Sequence, residues 1–322
     1  MTKLFTLILC FLTGGALNAQ VLLDENFEGG APATWTQQTA ATDGGWNFGT
    51  AGSLSSAYFP IPDNGSNIAA TNDDGCNCDK NADYFITPAI DLSGVAGAVL
   101  KFDMFYADGS YQGVQEVATV DVSTDGGATW TQVEAVPGNG DNWQNDYIIN
   151  VSAYAGNADV RFAFHYSDAG GWLYGWAIDN VSVYVPATND VSVTGLDIPR
   201  FAQFGGDVTI QGEITNYGVA NLTSFDISWS DGVNTYTDQV TGVDIPSLGT
   251  YNFTHSTTFP LPQAVTYNLS VWVDNPNNAA DGNPDNNQQD GVVSGVTYIP
   301  AKKMVAEEAT GTWCGWCPRG TE

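Results

Sequence analysis

Two cysteines near the end of the chain have the spacing of a redox pair. Cys314 and Cys317 enclose a glycine and a tryptophan, with Trp313 before them and Pro318 after them. At a helix start, amide dipoles stabilise the thiolate of the first cysteine, which attacks a disulfide before the second cysteine resolves the intermediate. The pattern predicts thiol–disulfide exchange, with a zinc half-site or an inert disulfide as the alternatives.

The remaining three cysteines are one in the N-terminal segment and a second close pair. The chain has five cysteines, and Cys10 lies in the N-terminal segment that we expect to be removed. Cys76 and Cys78 form a second close pair, and in an oxidising compartment each pair can close locally. Three pairings of the four cysteines stay open, and a small loop closed by a Cys76–Cys78 disulfide is the expectation.

Acidic side chains dominate the charge of the protein. Thirty-six acidic residues face eight basic ones, which gives a formal net charge of −28. Such a field repels phosphate backbones and anionic lipid surfaces, so nucleic acid is not expected as a partner. Most of the acids are Asp, which together with Asn and Gly favours turns and oxygen-rich loops over helices. These loops suit hard cations, and calcium is the first candidate cofactor.

The first 19 residues have the pattern of a secretory signal peptide. Lys3 precedes an apolar run over residues 4–12, and small residues follow as far as Ala19. The alternative is a membrane anchor, but the run is shorter than the ~20 apolar residues that span a bilayer. We therefore expect export, and a mature chain that is secreted or held at the cell surface without membrane insertion.

Residues 20–186 predict an all-β domain. Short strand-like runs, such as 98–106 and 160–166, alternate with clusters of Gly, Asn and Asp, and no segment has a helical apolar period. An antiparallel two-sheet sandwich is the natural interpretation. The stretch 171–184 predicts its closing strand, with one irregular step in the apolar alternation and with Asp179 at the start of the strand.

The character of the sequence changes twice more. Residues 187–298 contain shorter strands at regular spacing, which predicts an immunoglobulin-like β-sandwich. Residues 299–322 predict the truncated start of a third domain, a strand that leads into the Cys314–Cys317 motif. The expected order is thus a signal peptide, two β-sandwiches and the beginning of an α/β domain.

Two further features of the first sandwich have alternative interpretations. Residues 123–130 match an Asp-box pattern, Ser-x-Asp-x-Gly-x-Thr-Trp, which is either a sugar-binding repeat or a hairpin stabilised by its own local hydrogen bonds. Trp143, Trp172 and Trp176 are either a sugar-stacking platform or members of the core, since Trp is usually mostly buried.

Three segments of the first sandwich carry a family resemblance. Asp24–Glu28, Asp83–Pro88 and Trp176–Val181, in this order, resemble the bacterial choice-of-anchor J or cleaved-adhesin domains, which are jelly rolls related to MAM domains. In those domains, acidic residues at the two chain ends bind a structural calcium ion. The resemblance implies Glu25 and Asp179 as ligands here.

Further calcium ligands are implied by the same resemblance. They are Asp83 or the neighbouring pair Asp73 and Asp74. Bringing the terminal strands together crowds carboxylates, which a divalent cation neutralises. The alternative is that these acids are solvated or cap turns.

The later segments resemble two other families. Residues 281–287 are similar to the closing loop of CARDB, a cell-adhesion-related bacterial domain, and residues 307–318 look like the thioredoxin-like domain of a family of bacterial outer-membrane proteins. The leading functional hypothesis is adhesion to, or binding of, extracellular glycan or protein. The alternatives are a thiol–disulfide oxidoreductase that the β-domains position, and a structural spacer.

Overall fold

A computed structural model describes residues 20–140 and 142–299. The expected signal peptide, residues 1–19, and the expected redox cysteines Cys314 and Cys317 lie outside the described residues. Their assignments therefore stay predictions.

The first half of the described chain is built from strands. The thirteen strands, in chain order, are β1 (Gln20–Glu25), β2 (Thr36–Gln38), β3 (Asn47–Thr50), β4 (Asn67–Asn72), β5 (Asp83–Ile86), β6 (Val99–Tyr106), β7 (Ser110–Tyr111), β8 (Val114–Gln115), β9 (Val117–Ser123), β10 (Thr131–Ala135), β11 (Gln144–Asn150), β12 (Arg161–Ser167) and β13 (Gly175–Val185). Short helical turns are α1 (Ala51–Leu54), α2 (Asp73–Cys76) and a 3-10 turn, Ser152–Tyr154.

Eleven of these strands form two antiparallel sheets that face each other, and β7 and β8 form a separate two-stranded sheet. The six-stranded sheet has the order β11-β6-β13-β4-β3, with β1 also paired to β13, and the five-stranded sheet has the order β10-β9-β12-β5-β2. Strand β13 is central, because β6 pairs along one side while β4 and β1 share the other. The closing strand predicted from the sequence therefore lies in the middle of its sheet and pairs with β1, the first strand of the sandwich.

Strand β13 explains the irregular step in its own sequence. It begins at Gly175, so Asp179 lies within the strand and not at its start, which corrects the expectation. The pairing with β6 shifts register between Asp179 and Ser182, and Asn180 between them has a φ of 50°. This β-bulge lets Ile178, Val181 and Val183 all face the core despite the broken alternation.

The space between the two sheets is filled by aromatic and aliphatic side chains. Trp176 packs against Trp46, Phe102 and Phe164, and Phe85 stacks on Trp35 at 4.5 Å between ring centroids. A smaller apolar cluster lies on the other face of the six-stranded sheet; it comprises Ala51, Phe59, Ile61, Ile68, Ala70, Phe105 and Ala177. The segment that contains α1 thus covers part of the sheet and shields it from solvent.

The Asp-box residues form a self-stabilised turn between β9 and β10. The Asp125 carboxylate accepts hydrogen bonds from the Ser123 hydroxyl at 2.7 Å and from the Thr129 amide at 2.9 Å. These hydrogen bonds lower the pKa of Asp125 to about 2, and the bond from the Thr129 hydroxyl has the largest effect. Every one of these contacts is local, in agreement with the hairpin interpretation.

The second half of the described chain forms another pair of sheets. Its strands are β14 (Val191–Leu196), β15 (Phe201–Gln203), β16 (Gln211–Asn216), β17 (Leu222–Ser230), β18 (Thr235–Ile245), β19 (Thr250–Thr254), β20 (Thr266–Asp274) and β21 (Gln288–Val296). Two 3-10 turns, Pro276–Asn278 and Pro284–Asn286, lie between β20 and β21. The sheets have the orders β14-β16-β19 and β15-β21-β20-β17-β18. All pairings are antiparallel except that of β15 with β21.

The second pair of sheets buries its own core around Trp229, Leu269 and Val271. The expected all-β class is confirmed, with one two-sheet sandwich followed by another. The boundary at residues 186 and 187 stays a prediction. Among the helices of the described ranges, none has the length and apolar character that crossing a membrane requires.

Candidate binding site and buried carboxylates

Two distant segments clasp each other at the end of the first sandwich where β13 begins. The backbone amides of Asp73 and Asp74 donate to the Tyr174 carbonyl at 2.9 and 3.2 Å. In return, the Leu173 amide donates to the Asp73 carboxylate at 2.5 Å, and the Trp172 indole donates to the Asp74 carbonyl at 3.3 Å. The clasp fixes α2 against the residues that precede β13.

An open cavity of about 310 Å³ lies on this clasp. Its lining residues are Tyr58, Asp74, Tyr111, Trp172, Leu173 and Tyr174. Three of the rings are well exposed: Tyr58 by 71%, Tyr111 by 49% and Trp172 by 47%. Exposed aromatic rings around one concave surface, with a carboxylate among them, are typical of a ligand site. We call this the aromatic cavity.

Glu116 binds the backbone of Tyr174, one of the residues that line the aromatic cavity. Its side chain is buried, and it accepts hydrogen bonds from the Tyr166 hydroxyl at 2.8 Å and from the Gly175 and Tyr174 amides at 3.0 and 3.2 Å. Burial raises the pKa of Glu116, while these donors lower it. The carboxylate thus positions the backbone that carries Trp172.

Asp73 is a buried carboxylate whose bonding is incomplete. One oxygen accepts the Leu173 amide, whereas the other, Oδ1, is buried without a hydrogen-bond partner among the described residues. The pKa of Asp73 is raised to about 6, chiefly by desolvation, and the nearby Asp168 contributes to this rise. An unpartnered buried oxygen beside other acids suits a cation, so the side chain fits its predicted role.

Asp83 already has a cationic partner from the protein itself. The Lys80 side chain is fully buried, and its ammonium lies 3.3 Å from Asp83 and 2.9 Å from Asp43. The hydroxyls of Thr71 and Thr39 also donate to the Asp83 carboxylate. Because the lysine neutralises this carboxylate, the structure corrects the expectation that Asp83 binds calcium.

Asp179 lies fully buried in the six-stranded sheet, and none of the ion pairs in the described ranges involves it. Its carboxylate accepts the Ser66 hydroxyl at 2.5 Å, the Asn64 amide at 2.8 Å and the Asn180 backbone amide at 2.7 Å. Burial raises its pKa, and Asp103 on the paired strand β6 adds to the rise. This oxygen-rich surrounding fits a hard cation.

Glu25 is brought to the same sheet as Asp179 by the pairing of β1 with β13. It lies opposite Val181 in that register. One of its carboxylate oxygens accepts the Phe27 amide at 2.8 Å. The calcium site formed by Glu25 and Asp179 stays a prediction, and the residues that surround Asp179 are compatible with it.

Cys76 and Cys78 lie at the edge of α2. Their Cα atoms are 5.2 Å apart and their sulfurs are joined. The Asp43 carboxylate lies within 4.8 Å of both sulfurs, but a sulfur in a disulfide is not a thiolate ligand, and Asp43 is paired with Lys80. We therefore do not assign a metal to this group.

The three predicted tryptophans have different environments. Only Trp172 lines the aromatic cavity. Trp176 is fully buried in the core, so the core interpretation applies to it and the sugar-stacking one does not. Trp143 is half-buried, packs at 6.3 Å from Phe105 and donates to the Pro62 carbonyl at 2.6 Å, away from the cavity.

Several residues of the site were not identified from the sequence. They are Tyr58, Tyr111, Tyr174, Lys80, Glu116 and Asp168. The tyrosines come from separate parts of the chain, Tyr111 from β7 and the other two from loops, and no spacing in the sequence connects them. Lys80 offered a signal, because it is the lone basic residue in the acidic stretch 73–83.

Comparisons with known proteins give likenesses to solved structures alone. No protein-family model matches the chain, and no curated protein does. Among solved structures, the K3 cleaved adhesin domain of Lys-gingipain from Porphyromonas gingivalis is similar at 17% identity and a TM-score of 0.37, over 51% of this chain and 98% of that one. A CARDB domain from Pyrococcus furiosus, in complex with di-metal ions, is similar at 17% identity and a TM-score of 0.28, over 35% of this chain and 92% of that one.

A longer match spans both sandwiches. Beta-glucuronidase 2 from Bacteroides uniformis is similar at 14% identity and a TM-score of 0.38, over 81% of this chain but 32% of that one. At such identities these likenesses concern the β-sandwich folds alone. The site described above rests on the geometry of this chain.

Proposed function

We propose that the first sandwich is an extracellular glycan-binding module and that the aromatic cavity is its binding site. The observation that carries the proposal is the group of three exposed rings, Tyr58, Tyr111 and Trp172, around one open concavity. Isolated exposed rings are ordinary on a protein surface, whereas a group at a concave surface marks a binding site.

The chemistry of the aromatic cavity suits a carbohydrate. Aromatic faces pack against the apolar C–H face of a sugar ring, and their polar edges and a carboxylate accept its hydroxyl hydrogens. Asp74 supplies the carboxylate, and one of its oxygens is held by the Tyr58 amide at 3.0 Å. The clasp between α2 and the segment 172–175 fixes these groups before a ligand arrives, which lowers the entropy cost of binding.

The remaining parts of the proposal follow from the sequence. The protein is exported, is secreted or held at the bacterial cell surface, and belongs with the choice-of-anchor J or cleaved-adhesin domains. A structural calcium ion lies at Glu25 and Asp179, and the second sandwich places the first at a distance from its anchor. Exported β-domains of this composition meet extracellular glycans, in agreement with the chemistry of the cavity.

The test is a binding measurement with Trp172→Ala. A panel of soluble polysaccharides is titrated into the full chain by calorimetry, and we expect at least one to bind and the variant to weaken it by about tenfold or more. The matched control is Phe201→Ala, which removes a ring that is 57% exposed on the second sandwich. If no polysaccharide binds, or if both variants bind as the wild type does, the proposal is wrong and the spacer interpretation gains.

A further inference from the structure

A buried and a half-buried carboxylate lie at one end of the second sandwich. Asp190, directly before β14, is 9% exposed, and Asp281 lies in the loop between β20 and β21. Asp281 accepts the Val191 amide at 3.0 Å and the Asn283 amide at 2.8 Å. The amide of Gly282 donates to the Asn189 carbonyl at 2.8 Å. These bonds hold the loop against the start of β14.

Each carboxylate of this pair accepts a hydrogen bond from one asparagine side chain. The Asn286 side-chain nitrogen donates to Asp190 at 3.0 Å, and the Asn287 side chain donates to Asp281. The Oδ1 atoms of both asparagines are buried and have no hydrogen-bond donor among the residues that the structure describes, and Asn287 is only 7% exposed. A buried acceptor without a donor is costly and calls for a partner.

Within the described part of the chain, no basic side chain neutralises the two carboxylates. Within residues 20–140 and 142–299, none of the ion pairs involves Asp190 or Asp281. Lys101 lines a cavity of about 640 Å³ beside Asp190 and Asn286, but its ammonium lies 2.6 Å from Asp146. The site therefore differs from Asp83 in the first sandwich, where Lys80 supplies the positive charge.

We propose that Asp190, Asp281, Asn286 and Asn287 form a calcium site. Two carboxylates balance the charge of the ion, and amide oxygens are ligands that calcium accepts. Rotation of each asparagine amide by half a turn replaces its nitrogen with the unpartnered Oδ1 facing the carboxylates. The two orientations have nearly the same shape, so the exchange needs no movement of the backbone.

The calcium site has a structural consequence for the junction between the sandwiches. The same cavity is lined by Tyr184 and Pro186 from the end of the first sandwich and by Tyr217 from the second. An ion held by Asp190 and Asp281 fixes the start of β14 directly after this junction. Calcium thus stiffens the second sandwich where it receives the chain from the first.

The test is to titrate calcium into the full chain and to measure the stoichiometry and affinity of binding by calorimetry. We expect the Asp190→Asn, Asp281→Asn double variant to lose one equivalent of bound calcium relative to the wild type. The matched control is Asp244→Asn, which changes an exposed acid of the same sandwich that accepts the Asn221 amide at 2.8 Å. An unchanged stoichiometry and affinity in the double variant would overturn the proposal.

A second measurement covers the case in which the double variant does not fold. Terbium binds at calcium sites and emits when a nearby tyrosine is excited, and Tyr184 and Tyr217 line the same cavity as Asp190. We expect the Tyr184→Phe, Tyr217→Phe variant to keep its calcium stoichiometry and to lose calcium-displaceable terbium emission. Emission equal to that of the wild type would contradict the site.

Discussion

Lys80 shows how one basic side chain organises the acidic loops of the first sandwich. Its replacement by methionine leaves Asp43 and Asp83 without a counter-charge, and Asp83 is fully buried. Breaking a buried ion pair in this way costs about 3–5 kcal/mol, so we expect a loss of this size in the free energy of unfolding by denaturant. The control is Lys101→Met, which breaks a partly exposed pair with Asp146 and is expected to cost about 1 kcal/mol or less. Equal losses in the two variants would contradict the assignment.

Asp73 makes stability depend on pH. Its pKa in the folded protein is about 6, above the ordinary value of 3.8, so the folded state binds a proton that the unfolded state has released. The stability of the folded state therefore falls as the pH rises from about 4 to about 6, by roughly 3 kcal/mol for this residue.

Replacing Asp73 by asparagine removes the carboxylate charge and with it this dependence on pH. In EDTA, Asp73→Asn should be more stable than the wild type at about pH 7.5 and similar to it at about pH 4. Denaturant unfolding at the two pH values gives the comparison. Parallel pH profiles for the two proteins would show that this carboxyl is not responsible.

At the residue scale, the sequence indicated some of the residues that take part in the site, but it did not show which residues they contact in the folded chain. Trp172, named in advance as a possible sugar-stacking residue, lines the aromatic cavity, and so does Asp74, which was named as a calcium ligand instead. Tyr58 and Tyr111 could not be predicted, because their positions depend on loops that meet only in the folded chain. Asp83 was misjudged for the same reason, since nothing in the local spacing shows that Lys80 turns inward to it.

At the scale of secondary structure, the pairing of β1 with β13 places the predicted calcium ligands Glu25 and Asp179 on neighbouring strands. If Glu25 and Asp179 bind calcium, the ion stabilises the folded state in proportion to its binding. We expect excess calcium to raise the melting temperature of the first sandwich in the full chain relative to EDTA. In the Glu25→Gln, Asp179→Asn double variant this shift should vanish.

The outcome that excludes this site is a double variant that keeps the full calcium shift. Asp190→Asn with Asp281→Asn serves as the comparison, because those residues lie in the second sandwich and should leave the shift of the first sandwich intact. The two double variants thus separate the two calcium sites.

Strand patterns predicted the elements well and their ends less well. The alternation of Val160, Phe162, Phe164 and Tyr166 predicted a face of β12, and all four side chains are buried. The start of β13 was missed, because Gly175 and Trp176 look like part of the glycine-rich turn before it. The bulge at Asp179 was visible as a broken alternation, but its geometry depends on the register with β6.

At the scale of the whole molecule, the two sandwiches bury separate cores. Leu269 is fully buried in the core of the second sandwich. We expect Leu269→Ala to cost about 2–5 kcal/mol and to lower one calorimetric transition while the other stays in place. The control is Val292→Ala on the same sandwich, where the side chain is 48% exposed. A single transition that moves as a whole would mean that the cores unfold together.

The order of two sandwiches followed from a change in strand spacing, and the fold class was correct. How a chain closes a sandwich depends on contacts far apart in sequence, such as Gln20 with Val185. Such pairings are set by the overall packing, which no local pattern records.

The pairing of Gln20 with Val185 also determines how the first sandwich responds to tension. The two residues face each other at one end of an antiparallel pair, at roughly 5 Å between Cα atoms. A pull that acts on the chain at these two points opens β1 from β13 one hydrogen bond at a time, and the intact sandwich adds almost nothing to the length under load. The aromatic cavity lies at the other end of β13, about 30 Å away at some 3.3 Å per residue. The aromatic cavity thus lies far from the two residues at which the chain enters and leaves the first sandwich.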